Sequence, residues 1–86
     1  MPGTTEHQQR IILGAVYFAP GDAVLSRKLR DTLEAMHGVS LSMDSLRGEL
    51  LRLQDVGAVD VKGDMVRLTE YGNDAFFSRI KLPGWL

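Results

Sequence analysis

The chain has 86 residues, a formal net charge of −1 and a hydrophobic fraction of 44%. This length fits one domain with a thin core, and the near-neutral charge excludes a nucleic-acid binder that depends on a strongly basic overall composition. The absence of cysteine excludes disulfides and thiolate metal sites, and it is typical of a cytoplasmic protein.

A first amphipathic helix is predicted from an N-cap at Thr5 to about Phe18. Its apolar residues recur at three- and four-residue spacing, and Gly14 among them predicts close packing against a neighbouring helix. The longest apolar run of the chain lies here and is far shorter than the roughly 20 residues that span a bilayer, so we expect no membrane partner. Residues 1–4 are expected to form a flexible or docking tail. The sequence Pro-Gly-Asp at 20–22 ends the helix.

A second amphipathic helix is predicted from an N-cap at Ser26 to about His37. The preceding residues 23–25 are too short for an independent strand and are expected to add one or two residue pairs to the edge of a sheet. Gly38 is expected to end the helix at a positive φ angle. The apolar residues of this helix form a predicted core stripe that consists of Leu29, Leu33 and Met36.

A third helix is predicted over about residues 42–56, with Ser42 as its N-cap. Its core stripe is predicted to contain Leu46, Leu50 and Leu53. The short connection that joins it to the second helix contains a glycine, which is typical of a helix-turn-helix.

A β-hairpin is predicted next, because apolar residues alternate on both sides of the turn formed by Gly63 and Asp64. The turn fixes the expected register. The predicted pairs are Val61 with Val66 and Val59 with Leu68 on the inner face, and Asp60 with Arg67 on the outer face.

Thr69 is predicted to cap a last helix that extends from Glu70 to about Lys81. Its inward side chains are expected to be Tyr71, Ala75, Phe76 and Ile80. Residues 82–86 would follow as a flexible or docking tail. Residues 1–86 together are interpreted as one domain.

Two passages resemble the winged-helix superfamily. Residues 50–59, LLRLQDVGAV, resemble the LxxLexxGlV passage in which a recognition helix enters the wing, and residues 68–72, LTEYG, resemble the LTxxG start of the helix after the wing. The resemblance covers about residues 5–80. It implies an α+β, mostly helical fold, namely a winged helix-turn-helix with three helices, a short two-stranded hairpin wing and a C-terminal helix, of the compact bacterial or phage regulator type.

This resemblance implies double-stranded DNA binding, sequence-specific or general, by a small transcriptional regulator whose third helix lies in the major groove. The implied contacts of that helix are Met43, Ser45, Arg47, Gly48 and Arg52, with Lys62 on the wing. Near the phosphates, the second helix would contribute Arg27, Lys28 and Arg30.

Each of these features has a second interpretation. The arginines could form a solvated helix face, with Arg52 paired to Asp55 or Glu49. Gly48 allows close approach of DNA or of a partner helix, or it is a tolerated surface position. The hairpin is short and its tip carries an acid, so the favoured interpretation is a structural hairpin that closes the core.

A winged-helix module that binds a protein partner instead of DNA is the alternative function. It would use Leu51, Gly48 and the acidic residues, or the C-terminal tail. Leu51 lies outside the core stripe, although a side chain tucked against a neighbouring element is the favoured interpretation of this residue. An apolar patch of Phe77, Trp85 and Leu86 would allow a homodimer, unless Trp85 folds back onto the first helix. Contiguous positive charge over the second and third helices would favour DNA, and mixed charge a protein partner.

Catalysis and metal binding are not expected. His7 and His37 have no ligand-type neighbours at metal-binding spacing, and the serines are explained as caps or turn residues. We therefore predict no enzyme activity and no cofactor.

Overall fold

The computed structural model describes residues 2–86, with side chains from Glu6 onward. In this range the fold is α+β and mostly helical, with four α-helices and a three-stranded antiparallel sheet. The elements in chain order are α1 (Pro2–Tyr17), β1 (Ala23–Leu25), α2 (Ser26–His37), α3 (Met43–Asp55), β2 (Val59–Lys62), β3 (Met65–Leu68) and α4 (Glu70–Phe76). None of the described helices combines the length and the apolar character needed to cross a bilayer.

The sheet has the strand order β1-β3-β2, and β2 and β3 form the hairpin that follows α3. The predicted hairpin register is confirmed at all three predicted pairs. Asp60 lies opposite Arg67 as expected, but its carboxylate contacts the ammonium group of Lys62, 4.0 Å away. β1 adds three residue pairs to β3, more than predicted, so the hairpin is part of a three-stranded sheet.

Two of the three predicted caps around α2 and α3 are confirmed. The φ angle of Gly38 is +66°, and its N–H bonds to the carbonyl oxygen of Leu33. The Ser42 hydroxyl accepts the N–H of Ser45 at 3.1 Å. Ser26 is wrong as an N-cap, because it is the first helical residue of α2 and is itself buried.

The core contains the predicted apolar residues of α2 and α3 except for Met36, which is 76% exposed. The stripe of Leu29 and Leu33 continues through Met36, but the last turn of α2 extends beyond the core. Tyr71 is also wrong as a core residue. The buried side of α4 contains Gly72 and Ala75, which places Tyr71 at its edge.

α1 begins at Pro2, so the predicted N-cap at Thr5 is wrong. Proline is favoured in the first turn of a helix, because its missing N–H would have no helical acceptor there. The predicted tail of residues 1–4 is therefore helical from Pro2 onward, and Met1 lies outside the described residues.

α4 ends at Phe76 instead of Lys81. Ser78 has a φ angle of +62°, and the N–H of Arg79 bonds to the carbonyl oxygen of Asp74 at 2.9 Å, which closes the helix end. The residues after the helix form turns and irregular structure, with a second positive φ angle at Gly84.

Two glycines permit close contacts that hold α4 in place. A Cβ at Gly14 of α1 would lie 2.7 Å from a ring carbon of Phe76, which confirms the predicted close helix packing. A Cβ at Gly72 would collide with the carbonyl oxygen of Ala58. Beside this contact, Thr69 caps α4 as predicted and donates its hydroxyl to Gly57 O at 2.6 Å. The arrangement as a whole is compatible with a winged helix-like α+β domain.

Candidate functional site

A groove of about 690 Å³ lies between one side of α2 along its length, the N-terminal part of α3 and the hairpin tip. We call it the α2–α3 groove. Its charged lining residues are Arg27, Lys28, Asp31, Arg47 and Asp64. Three of the five are cations, so local charge in the groove is mixed with a small positive excess.

Backbone and amide contacts hold the three walls of this groove together. The N–H of Ser26, at the start of α2, donates to the carbonyl oxygen of Asp64 at the hairpin tip, 2.7 Å away. The side-chain oxygen of Gln54 on α3 accepts the N–H of Val61 on β2, also at 2.7 Å. The hairpin is therefore fixed against α2 at its tip and against α3 along β2, which supports its predicted structural role.

The first turn of α2 concentrates positive potential at one side of the groove. Arg27 and Lys28 are both exposed, and neither forms an ion pair with another described residue. That turn contains no acidic residue and no side-chain cap. Because a helix N-terminus carries a partial positive charge, these two cations add to it, and an anion would be stabilised there.

Arg47 faces this cationic turn from α3. Its guanidinium lies 3.8 Å from the Asp44 carboxylate, which is almost fully exposed. An exposed pair of this kind contributes little stability and is readily exchanged for another anion. Arg47 is therefore available to a ligand in the groove.

Arg52 does not line the groove. It lies five positions after Arg47, which corresponds to about 140° around the helix. Its guanidinium bonds to Glu49 at 3.0 Å, and Glu49 in turn contacts Gln9 of α1. Pairing of Arg52 with Glu49 was one of its two sequence-based interpretations, whereas a contact with Asp55 does not form among the described ion pairs.

Gly48 lies on the exposed side of α3, between Arg47 and Arg52. A Cβ at this position would have no neighbour within 4 Å, so no contact inside the described chain requires a glycine. Ser45 lies on the Arg52 side, and its hydroxyl accepts a hydrogen bond from the Ser42 hydroxyl at 3.0 Å. Ser45 is thus engaged in the helix cap.

Of the other predicted DNA contacts, some line the groove and some do not. Met43 lines the groove. Arg30 does not, and its guanidinium pairs with Asp31 at 3.5 Å. Lys62 is highly exposed beside the turn and contacts Asp60. The predicted set therefore separates into a groove group of Arg27, Lys28, Met43 and Arg47 and a scattered remainder.

Apolar side chains make up much of the surface around the groove. Leu25 and Met36 line it together with Met43. Leu51 is 57% exposed and lines an adjoining recess of about 190 Å³ against the hairpin. The favoured interpretation of a tucked Leu51 side chain is thus only partly right, since more than half of it is open to solvent.

The three residues of the predicted dimer patch are not together. Phe77 packs in an aromatic cluster with Tyr17, at the end of α1, with ring centres 5.0 Å apart. Trp85 instead contacts Gln9 and Arg10, near the start of α1. Trp85 therefore folds back onto the first helix, which was the other interpretation of this residue. Leu86 has an exposed side chain beside it.

Comparison with known proteins gave no relative. No protein-family model, no curated protein and no solved structure matches this chain. The functional argument consequently rests on the geometry of the α2–α3 groove.

Sequence reasoning missed several residues of this groove. Asp64 was recognised as an acid at the hairpin tip, but its place beside α2 depends on the three-stranded sheet. Leu25 and Met36 were assigned to a strand edge and to the core. Their apolar character gave no signal of exposure, because such residues are usually buried.

Proposed function

We propose that this chain is a winged-helix domain that binds double-stranded DNA as a small transcriptional regulator. The observation that carries the proposal is a groove that Arg47 of α3 lines together with Arg27 and Lys28, two cations of the first turn of α2 that form no ion pair with another described residue. Phosphate groups are the ligands that such an arrangement favours. The net charge of −1 does not oppose this, because local distribution decides where a polyanion can bind.

The element order supports the winged-helix assignment. Two helices joined by a short connection are followed by a hairpin whose tip is tied to the first of them. In this arrangement α3 is the recognition helix, and α2 crosses the DNA backbone.

The exposed side of α3 has the features of a surface that enters a groove. Gly48 at its centre leaves the backbone uncovered, and Arg47 and Arg52 lie on either side. An α-helix fits the roughly 12 Å width of the major groove. In our proposal Arg47 contacts a base edge or phosphate, Arg27 and Lys28 contact phosphates, and Arg52 contacts the opposite backbone.

The carboxylates of Asp31 and Asp64 line the same groove and repel phosphates. These carboxylates lower the general affinity for DNA, and they disfavour binding modes in which a DNA phosphate lies close to either of them. We therefore expect moderate binding that decreases steeply with salt.

Fluorescence anisotropy with a labelled duplex at low salt tests the proposal. We expect wild-type protein to bind in the range of about 1–100 μM, as is usual for non-specific contacts. The combined substitutions Arg27→Ala, Lys28→Ala and Arg47→Ala should weaken binding at least about tenfold. Lys81→Ala, which removes an exposed cation outside the groove, is the matched control and should bind like wild type. Equal binding by all three proteins, or none by wild type, would contradict the proposal.

A protein partner is the second candidate, and the exposed apolar residues around the groove favour it. Leu51 is the central one, because it lies beside both the groove and the hairpin recess. If a protein binds here, Leu51→Asp should abolish that complex while the fold is retained. A partner that binds this variant as well as wild type would exclude the surface around Leu51.

A further inference from the structure

The C-terminal segment, residues 82–86, is docked on α1. The backbone N–H of Leu86 donates to Glu6 Oε1 at 2.8 Å, and the guanidinium of Arg10 lies over the Trp85 ring, 4.2 Å from its centre. The Leu86 N–H and the Arg10 side chain hold the pKa of the Glu6 carboxyl below its usual value. The segment is therefore held by charge-assisted and cation–π contacts as well as by burial.

Gln9 connects this segment to α3. Its side chain is almost entirely buried, and both ends of its amide are used. The indole N–H of Trp85 donates to Gln9 Oε1 at 2.7 Å, and Gln9 Nε2 donates to Glu49 Oε2 at 3.4 Å. Because the indole can only donate, it fixes the orientation of the amide and so directs the amide NH₂ group towards Glu49.

Glu49 links Gln9 to Arg52 on the exposed side of α3. Its side chain is only 13% exposed, whereas that of its partner Arg52 is 70% exposed. One carboxylate oxygen accepts from Gln9 and the other accepts from Arg52 at 3.0 Å. A continuous series of hydrogen bonds therefore leads from Trp85 to a cation at the proposed DNA surface.

We propose that Trp85 and Gln9 are positioning residues for Arg52, so that docking of the C-terminal segment sets how this cation is presented to DNA. The proposal rests on the proposed function. With Gln9 in place, the Glu49 carboxylate is held inward and its partner guanidinium is held at the edge of the exposed side of α3. Without Gln9, the carboxylate can turn outward beside Arg52 and repel phosphate.

The first experiment uses free protein and needs no DNA. Trp85→Phe keeps an aromatic ring under Arg10 but removes the N–H donor. We expect it to shift the ¹⁵N resonance of the Arg52 guanidinium. Leu86→Ala, which truncates an exposed side chain of the same segment, should leave that resonance unchanged. Gln9→Met removes the amide and retains Trp85, and it should shift the resonance in the same way even if Trp85→Phe folds poorly.

The second experiment is a double-mutant cycle in duplex affinity. Trp85→Phe should weaken binding about two- to tenfold in the wild-type background, the range expected for one hydrogen bond. It should have no effect in the Arg52→Ala background, because the cation that it positions is absent. A role in stability alone would change both backgrounds equally.

These outcomes separate the two proposals. An Arg52 resonance that does not respond to Trp85→Phe or Gln9→Met overturns the positioning role, whatever the DNA results are. Equal affinity losses in both backgrounds overturn it as well. A resonance that shifts in a protein that binds no duplex supports the connection from Trp85 to Arg52 and contradicts DNA binding as the proposed function.

Discussion

Gly48 and Gly72 are both helical glycines, but only one of them is needed by a neighbour inside the chain. The space around Gly48 is open, whereas a side chain at Gly72 would collide with Ala58. Replacement by alanine at the two positions therefore separates a glycine that the fold requires from one that the proposed DNA interface would require.

Gly48→Ala should stabilise the protein and weaken DNA binding. Alanine favours the helix over glycine by about 1 kcal/mol, and an added methyl group keeps a DNA groove further from the α3 backbone. Thermal unfolding and duplex anisotropy measure the two effects. A more stable variant with unchanged affinity would place Gly48 outside the interface.

Gly72→Ala should destabilise the fold by about 1–3 kcal/mol, as overpacking at a rigid contact does. The new methyl group would displace the start of α4 from Ala58 and disturb the Thr69 cap beside it. Urea denaturation measures the loss, with Gly48→Ala as the matched control. A variant as stable as wild type would show that α4 can shift without cost.

Single residues could be predicted from sequence where a local rule decides their position. Ser42 and Thr69 are caps because a hydroxyl satisfies a free helical N–H. Ser26 has the same chemistry, but β1 continues directly into α2 and leaves it inside the helix. Met36 has core periodicity, yet the core ends before it.

At the scale of elements, the hairpin was the most predictable part, because its turn and its alternation fix one register. The end of α4 was less predictable. The apolar residues after Phe76 continue the helical pattern, but Ile80 packs on the core from a non-helical segment. The position at which α4 ends is determined by packing between distant chain segments, so the local sequence does not predict it.

The docked C-terminal segment should respond to pH through Glu6. The pKa of Glu6 is lowered in the folded state. The ionised Glu6 carboxylate therefore contributes fully to docking of the segment above the ordinary glutamate pKa of about 4.3, and this contribution is lost as the pH falls through the lowered pKa. The fluorescence emission of Trp85, the one tryptophan of the chain, reports the release of the C-terminal segment from α1. Glu6→Gln should lack this transition, and an identical pH profile in that variant would contradict the assignment.

For the whole molecule, sequence showed which cations exist but not how they are grouped. Arg27 and Lys28 are neighbours in any fold, whereas their meeting with Arg47 depends on how α2 packs against α3. The division of Arg47 from Arg52 and the pairing of Arg52 with Glu49 follow from helix geometry, but the contacts that link Glu49 to Gln9 of α1 and Gln9 to Trp85 do not. These contacts join residues that are distant in sequence.

The α2–α3 groove also shows why composition predicts function poorly here. It combines cations, carboxylates and apolar side chains in one surface. Mixed charge of this kind was expected to favour a protein partner. We nevertheless propose DNA, because Arg27 and Lys28 lie at the positive end of α2 and form no ion pair with another described residue.

The salt dependence of duplex binding tests the central claim most directly. If Arg27, Lys28 and Arg47 contact phosphates, the slope of log affinity against log salt should decrease in magnitude by about 1 for each of them replaced with alanine. Lys81→Ala should keep the wild-type slope. Duplex binding whose slope is the same in all of these variants would contradict a DNA interface at the α2–α3 groove.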